Sequence, residues 1–324
     1  MSTSSLLVLA SFALLGCGAE HVSVVGSTIL NGEVDREDTM VVAVERAGEL
    51  CTGTLVAARA VLTARHCVAG QLDSSPKGGV VCGQTRFSAA VDAAEVRVSN
   101  APDVKAAAGT WLSVRKVHVP VFDAFCGHDL ALLELETPLL AVPSEVRRSG
   151  PVAQEIYAAV GYGATDESAK EYGVRRRRDG LSITCVGPKC GMKSVTPKEW
   201  LGPEGTCAGD SGGPAFDTAE RVVGVVSRSL NGCAAIVYES SESDLAWLDE
   251  SLAAIASEDP AVTVRAHGGC SIAELGTASE GPGGAAMVLS LATVLRSLSG
   301  RRSDQNRPRT CLRSSRRSKS QSAR

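Results

Sequence analysis

The sequence predicts an all-β domain of barrel or sandwich type in the middle of the chain. Between about residue 29 and residue 240 the apolar residues come in short runs dominated by Val and Leu. Gly, Pro, Asp and Asn punctuate those runs, and Gly 33, Pro 13 and only twelve aromatics argue against a helical bundle. One helical stripe stands out: Leu245, Leu248, Leu252 and Ile255 recur at 3, 4 and 3, at the end of the body.

Composition sets the outer limits. The chain has 324 residues, 44% hydrophobic and 21% charged, which is globular rather than collagen-like or disordered. No apolar run reaches the roughly 18 residues of a spanning helix, which argues against a polytopic membrane protein. A net charge of −3 carries no nucleic-acid footprint, but it hides an asymmetry. Residues 296–324 hold ten Lys and Arg against Asp304 alone, a local +9 that leaves −12 for the remainder. Eleven cysteines read as disulfides in an exported chain, or as metal ligands in a retained one. The lack of any CxxC pair argues against a zinc ribbon.

In chain order, Leu6 to Leu15 is an apolar stretch of signal-peptide length, although Met1–Ser5 lacks Lys and Arg. The following Leu14-Leu15-Gly16-Cys17 resembles the bacterial lipobox. That resemblance implies a signal peptide over 1–16, lipid on Cys17 and a linker or propeptide over 17–28; an ordinary signal peptide with an incidental Cys17 is the alternative. Strands are expected at Thr39–Val44, Gly53–Val56, Val61–Ala64, Leu130–Leu135, Ile156–Val160, Val222–Val226 and Ala234–Tyr238. Arg175 to Arg178 read as a solvated loop, with an autolysis or partner site as the sharper alternative. The helix is capped by Ser243 or Ser241, with Asp244 favouring its N-terminus, and packs on the barrel. Gly268-Gly269-Cys270-Ser271, the apolar run Ala285–Leu295, and Arg296, Arg301 and Arg302 resemble the C-terminal sorting tag of myxobacterial surface proteins. The Ser/Arg-rich continuation to Arg324 departs from that pattern, and a disordered basic tail is the alternative. Residues 257–324 are read as linker, sorting segment and tail.

Three elements carry chemistry. Thr63-Ala64-Arg65-His66-Cys67 follows an apolar strand, and a bridge from Cys67 to Cys51 would clamp the loop that holds His66. A histidine held in place is what a general base must be. His128-Asp129-Leu130-Ala131-Leu132-Leu133 sets a carboxylate at the edge of an apolar run, where it needs a partner such as an imidazole N–H. In Cys207-Ala208-Gly209-Asp210-Ser211-Gly212-Gly213-Pro214, glycines let the backbone bend sharply around Ser211 and aim consecutive N–H groups at one oxygen.

Together these elements resemble the trypsin/chymotrypsin family of serine peptidases, over about residues 29–256. The order His66, Asp129, Ser211 is that family's order, and Gly161-Tyr162-Gly163 fits its Gly-aromatic-Gly strand. The resemblance implies two antiparallel six-stranded β-barrels with a C-terminal α-helix. It makes Ser211 the nucleophile, His66 the base and then acid, Asp129 the orienting carboxylate, and the N–H groups of Gly209 and Ser211 the oxyanion hole. It implies that cleavage before Ile29, in Ile29-Leu30-Asn31-Gly32, frees an amine that pairs with Asp210 and forms that hole. Thr28 precedes Ile29, so an activating peptidase would not be trypsin-like. Cys207 and Cys233 match the family's bridge beside the specificity pocket, and beside the Cys51–Cys67 bridge the remaining pairs are Cys82–Cys126 and Cys185–Cys190, the last read from proximity in the chain. The resemblance implies no metal and no organic cofactor, polypeptide substrates, a monomer, and export to the cell envelope, outer surface or medium, and the near-neutral charge gives no nucleic-acid partner.

By family register the specificity pocket has Gly205 as its floor, with Ser227, Ser229 and Ile236 on its walls. Trypsin-like members carry Asp at the floor, so Gly205 does not support an Arg or Lys preference, and bulk at Ser229 and Ile236 favours small apolar P1 residues. Arg228 stands where the family has Trp, and Arg65 where it has Ala. Two rival readings exist. Gly209-Asp210-Ser211-Gly212-Gly213 satisfies the α/β-hydrolase elbow G-x-S-x-G, with Asp244 or Asp249 and His267 as partners, but the strand–helix alternation is missing. A catalytically impaired, protease-like surface binding module is the second, for which Arg65 and Arg228 leave room.

Overall fold

In the computed structural model, the described residues are 29, 32–75, 79–107, 110–164, 172–206, 208–230 and 233–258. The lipobox with Cys17, the sorting-tag segment with Cys270, His267 and the bridging candidate Cys207 lie outside them.

Six strands close into an antiparallel barrel in the order Val41–Arg46, Glu49–Ala57, Ala60–Thr63, Ala131–Leu135, Leu112–His118, Val96–Ser99. Val41–Val44 and Ala131–Leu133 are buried along their whole length, so both faces of these strands are withdrawn from water. That is why they read as continuous apolar runs rather than alternating ones. Glu134 is fully buried within this run, where Arg115 lies 3.4 Å and His118 3.1 Å from its carboxylate.

The second half is one antiparallel sheet in the order Glu33–Val34, Arg176–Ser182, Ile156–Gly161, Pro214–Phe216, Val222–Leu230, Ala235–Ser240, Glu199–Pro203, Cys185–Val186. Two short edge pieces, Glu33–Val34 and Cys185–Val186, lengthen a six-strand unit to eight. The all-β, two-part architecture with a C-terminal helix is the one expected. The first half packs aliphatic side chains, whereas the second packs aromatics: Trp200 stacks on Tyr238 at 4.0 Å between ring centroids, and Tyr157 meets Trp200 edge-on at 5.1 Å.

The helix spans Leu245–Ser257 and buries Leu248 and Ile255 in the first barrel's core cluster. Its cap is Asp244, whose carboxylate accepts from Trp247 N at 3.4 Å, not Ser243 or Ser241. The Ser241 hydroxyl is committed elsewhere, donating to Arg147 O at 3.1 Å.

The expectation for Arg175–Arg178 is corrected. Residues Arg176–Ser182 form a strand, and Arg175 is fully buried. Its guanidinium meets Asp35 Oδ2 at 2.8 Å, Asn100 O at 3.0 Å and the Tyr162 hydroxyl at 3.1 Å. Arg177 is ion-paired with Asp38, Asp179 and Glu220. A run of like charge reads as solvated only when its counter-charges cannot be seen, and here they come from segments up to 140 residues away.

Candidate active site

Strand register brings the first two chemical residues together. Thr63 pairs with Ala131, so the chain leaving one strand at His66 runs beside the chain entering the other at Asp129. The turn Arg65–Cys67 is fastened to the neighbouring strand by the Cys51–Cys67 disulfide. Asp129 is fully buried and takes three donors. Oδ1 accepts the His66 backbone N–H at 2.9 Å; Oδ2 lies 2.8 Å from His66 Nδ1 and accepts the Ser227 hydroxyl at 2.7 Å. A neutral imidazole that donates through Nδ1 has its acceptor at Nε2. The carboxylate thus fixes both ring orientation and tautomer.

The Ser211 loop is built from conformations that only glycine tolerates. Gly209 has φ +97° and Gly212 φ +82°. A Cβ on Gly212 would lie 2.2 Å from Thr63 Oγ1 and 2.3 Å from Thr52 O. The first barrel buttons the loop down: Thr52 N donates to Ser211 O at 2.8 Å, and Thr52 Oγ1 to Gly209 O at 2.9 Å. Asp210 is fully buried and accepts from Gly163 N at 2.8 Å, within the Gly161-Tyr162-Gly163 segment. The Ile29 side chain is fully buried as well.

His66 and Ser211 share the wall of a cavity of ≈ 580 Å³, and both also line a second depression of ≈ 340 Å³ beside the Cys51–Cys67 bridge. Among the described residues no hydrogen bond joins the Ser211 hydroxyl to His66; in unliganded sites such contacts commonly tighten only with substrate. The larger cavity is lined by Thr206, Val226, Ser227, Ser229 and Ile236 among others. Gly205 does not line it: a Cβ there would meet Leu181 at 3.2 Å, so an aliphatic side chain backs this position. Thr206, which sequence reasoning did not single out, takes the wall.

The Cys82–Cys126 and Cys185–Cys190 bridges are present, with Cα–Cα distances of 5.5 and 5.1 Å. Cys233 is also disulfide-bonded. Cysteine sulfurs near His66 and near Glu199 are all held in bridges, so neither cluster offers a thiolate to a metal.

Both arginines foreign to the expected pattern are committed to the protein. Arg65 is buried, donates to the carbonyls of Pro120 and Phe122, and lies over the Phe87 ring. Arg228 is paired with fully buried Glu199. Glu199 and its neighbour across the sheet, Glu239, escaped sequence reading because a lone Glu in a short strand looks solvent-facing. The available signal was Arg228 itself: a cation in an otherwise apolar run needs a buried anion. Burial, with Glu199 alongside, pushes the Glu239 carboxyl well above the usual carboxylate range.

With this geometry in place, the comparisons agree. A family model described as Trypsin matches residues 29–247. A protein named Trypsin from Saccharopolyspora erythraea is 30% identical over 213 residues, 62% of this chain and 84% of that relative. The chain belongs to the trypsin family of serine proteases.

Proposed function

We propose that this chain is an active serine endopeptidase that works through an acyl-enzyme on Ser211. The observation that carries the reading is the 2.8 Å contact between His66 Nδ1 and buried Asp129, with His66 and Ser211 on one cavity wall. His66 Nε2 takes the Ser211 proton as Oγ attacks the scissile carbonyl. The same nitrogen then returns a proton to the leaving amine, and water repeats the sequence to release the acid. Asp129 keeps the imidazole in register and stabilises its cationic form. Backbone N–H groups of Gly209 and Ser211 stabilise the oxyanion.

Cleavage before Ile29 is the proposed activation step, with the new amine pairing with Asp210. The burial of both residues and the Gly163 contact at Asp210 support it. The peptidase domain is taken as 29–256, preceded by a signal peptide and a short propeptide and followed by a linker and basic tail. Several disulfides in one domain support an oxidising compartment, hence export, to the envelope or beyond. For specificity, Ile236 and Val226 on the cavity wall support small apolar P1 residues such as Ala or Val. The test is cleavage of matched peptides with Ala, Phe or Arg at P1. Faster turnover of Ala supports this specificity, and an Arg preference overturns it. Ser211→Ala is expected to remove activity on every peptide, by a factor on the order of 10⁶.

A further inference from the structure

We propose that Arg228 and Glu199 form a bracket that positions Asp129, making both residues part of what sets the rate at Ser211. The inference rests on the peptidase reading above and adds residues to it.

Arg228 lies on the strand Val222–Leu230, where the register against Ala235–Ser240 slips between Val226 and Arg228. Ser227 is the residue at that irregularity, and such a bulge re-aims side chains. The Arg228 guanidinium grips Glu199 with both terminal nitrogens, at 2.6 Å to Oε1 and 3.0 Å to Oε2. Its Nη2 also donates to Ser194 O at 2.6 Å, and its Nη1 to Ser227 Oγ at 3.2 Å. A guanidinium can only donate. Ser227 Oγ therefore accepts from Arg228, and its single proton is left for Asp129 Oδ2 at 2.7 Å. That is the same carboxylate oxygen that faces His66 Nδ1.

The second arm of the bracket runs through Glu199. Its Oε1 also accepts the backbone N–H of Gly127 at 3.0 Å, two residues before Asp129, and its Oε2 that of Thr196 at 2.7 Å. Glu199 thus anchors the chain at Gly127, two residues before Asp129, Ser227 holds the Asp129 side-chain oxygen, and Arg228 joins the two. Glu199 is fully exhausted by four donors and excluded from water, and Arg228 is about 10% exposed. The cation is therefore spent on this bracket and is not left to bind an acidic substrate.

A purely structural ion pair makes a different prediction from a positioning one, and a double-mutant cycle separates them. The readout is inactivation of the full chain in its mature form by a small dialkyl fluorophosphonate. This reagent reaches Ser211 without occupying the more distant subsites. Wild type is expected to label on Ser211. Ser227→Ala and Arg228→Met are each expected to slow the maximal labelling rate about tenfold, with half-saturation unchanged within about twofold. In the Ser227→Ala background, Arg228→Met is expected to add less than about a twofold further loss. The paired variant R228M/E199L, which removes both charges, is expected to stay folded with its rate still low. If Arg228→Met does not fold, Arg228→Lys replaces it, keeping a cation beside Glu199 without the planar two-nitrogen fork that spans Glu199 and Ser227. Wild-type rates in R228M/E199L, or full additivity with Ser227→Ala, overturn the bracket while leaving the peptidase reading standing. Absence of wild-type labelling overturns both.

Discussion

The two halves of the cleft are held by different physics. The His66–Asp129 side hangs on a closed barrel of aliphatic strands and one disulfide, whereas the Ser211 side hangs on glycine backbone conformations, the buried Asp210 and a sheet packed with stacked aromatics. The first kind of support is made of many interchangeable contacts and degrades gradually. The second has few substitutes, because each buried charge or tight glycine depends on a fixed set of specific neighbours. Substitutions on the Ser211 side should therefore cost more per atom changed.

Gly212→Ala breaks this comparison hardest. Its Cβ would enter space held by Thr63 Oγ1 and Thr52 O, at a positive φ that alanine disfavours. A loss of about 3 kcal/mol or more is expected, beyond the 1–3 kcal/mol of ordinary backbone strain, together with near-complete loss of peptidase activity. Urea unfolding monitored by far-UV circular dichroism, with an activity assay on the folded fraction, checks both.

The Cys51→Ser/Cys67→Ser pair probes the other side. Opening a bridge with a sequence separation of 16 should cost about 3 kcal/mol of stability. Activity should fall further than stability alone explains, since the bridge holds the His66 turn. Calorimetry beside a kcat measurement well below the melting point separates the two effects.

Glu239→Gln gives the smallest effect and a signed pH dependence. The folded-state pKa of Glu239 is raised by burial and by Glu199, so the wild-type carboxyl favours folding while protonated. That favourable contribution is complete below the unfolded-state pKa and is lost as pH rises towards the folded value. Glutamine does not titrate, so the variant should match wild type near pH 4 and exceed it increasingly above, by about 1–3 kcal/mol at its largest. Denaturant midpoints measured across pH check this; a variant advantage that shrinks with rising pH contradicts it.

The same contrast explains what could be read from the chain alone. The barrel stretches Val41–Val44, Ala60–Leu62 and Ala131–Leu133 show as unbroken apolar runs because they are buried on both faces. Val96–Ser99, Leu112–His118 and Glu199–Pro203 went unseen because Arg97, Lys116 or Glu199 interrupts the pattern. His66, Asp129 and Ser211 could be singled out because each sits in a local motif with its own chemical reason. Glu199, Glu239 and the partners of Arg175 could not, since what buries or pairs each of them comes from a distant segment; Arg228 in an apolar run was the one local hint. The arginine run failed for that reason: Arg175 is explained by Asp35, 140 positions earlier.

The most direct test of the central account is mass spectrometry of the mature chain, with its N-terminus sequenced, after exposure to a fluorophosphonate. The prediction is a single adduct mapped to Ser211, absent in Ser211→Ala and formed orders of magnitude more slowly in His66→Ala. A chain shown to begin at Ile29 that takes no adduct, or takes it on another residue, contradicts it.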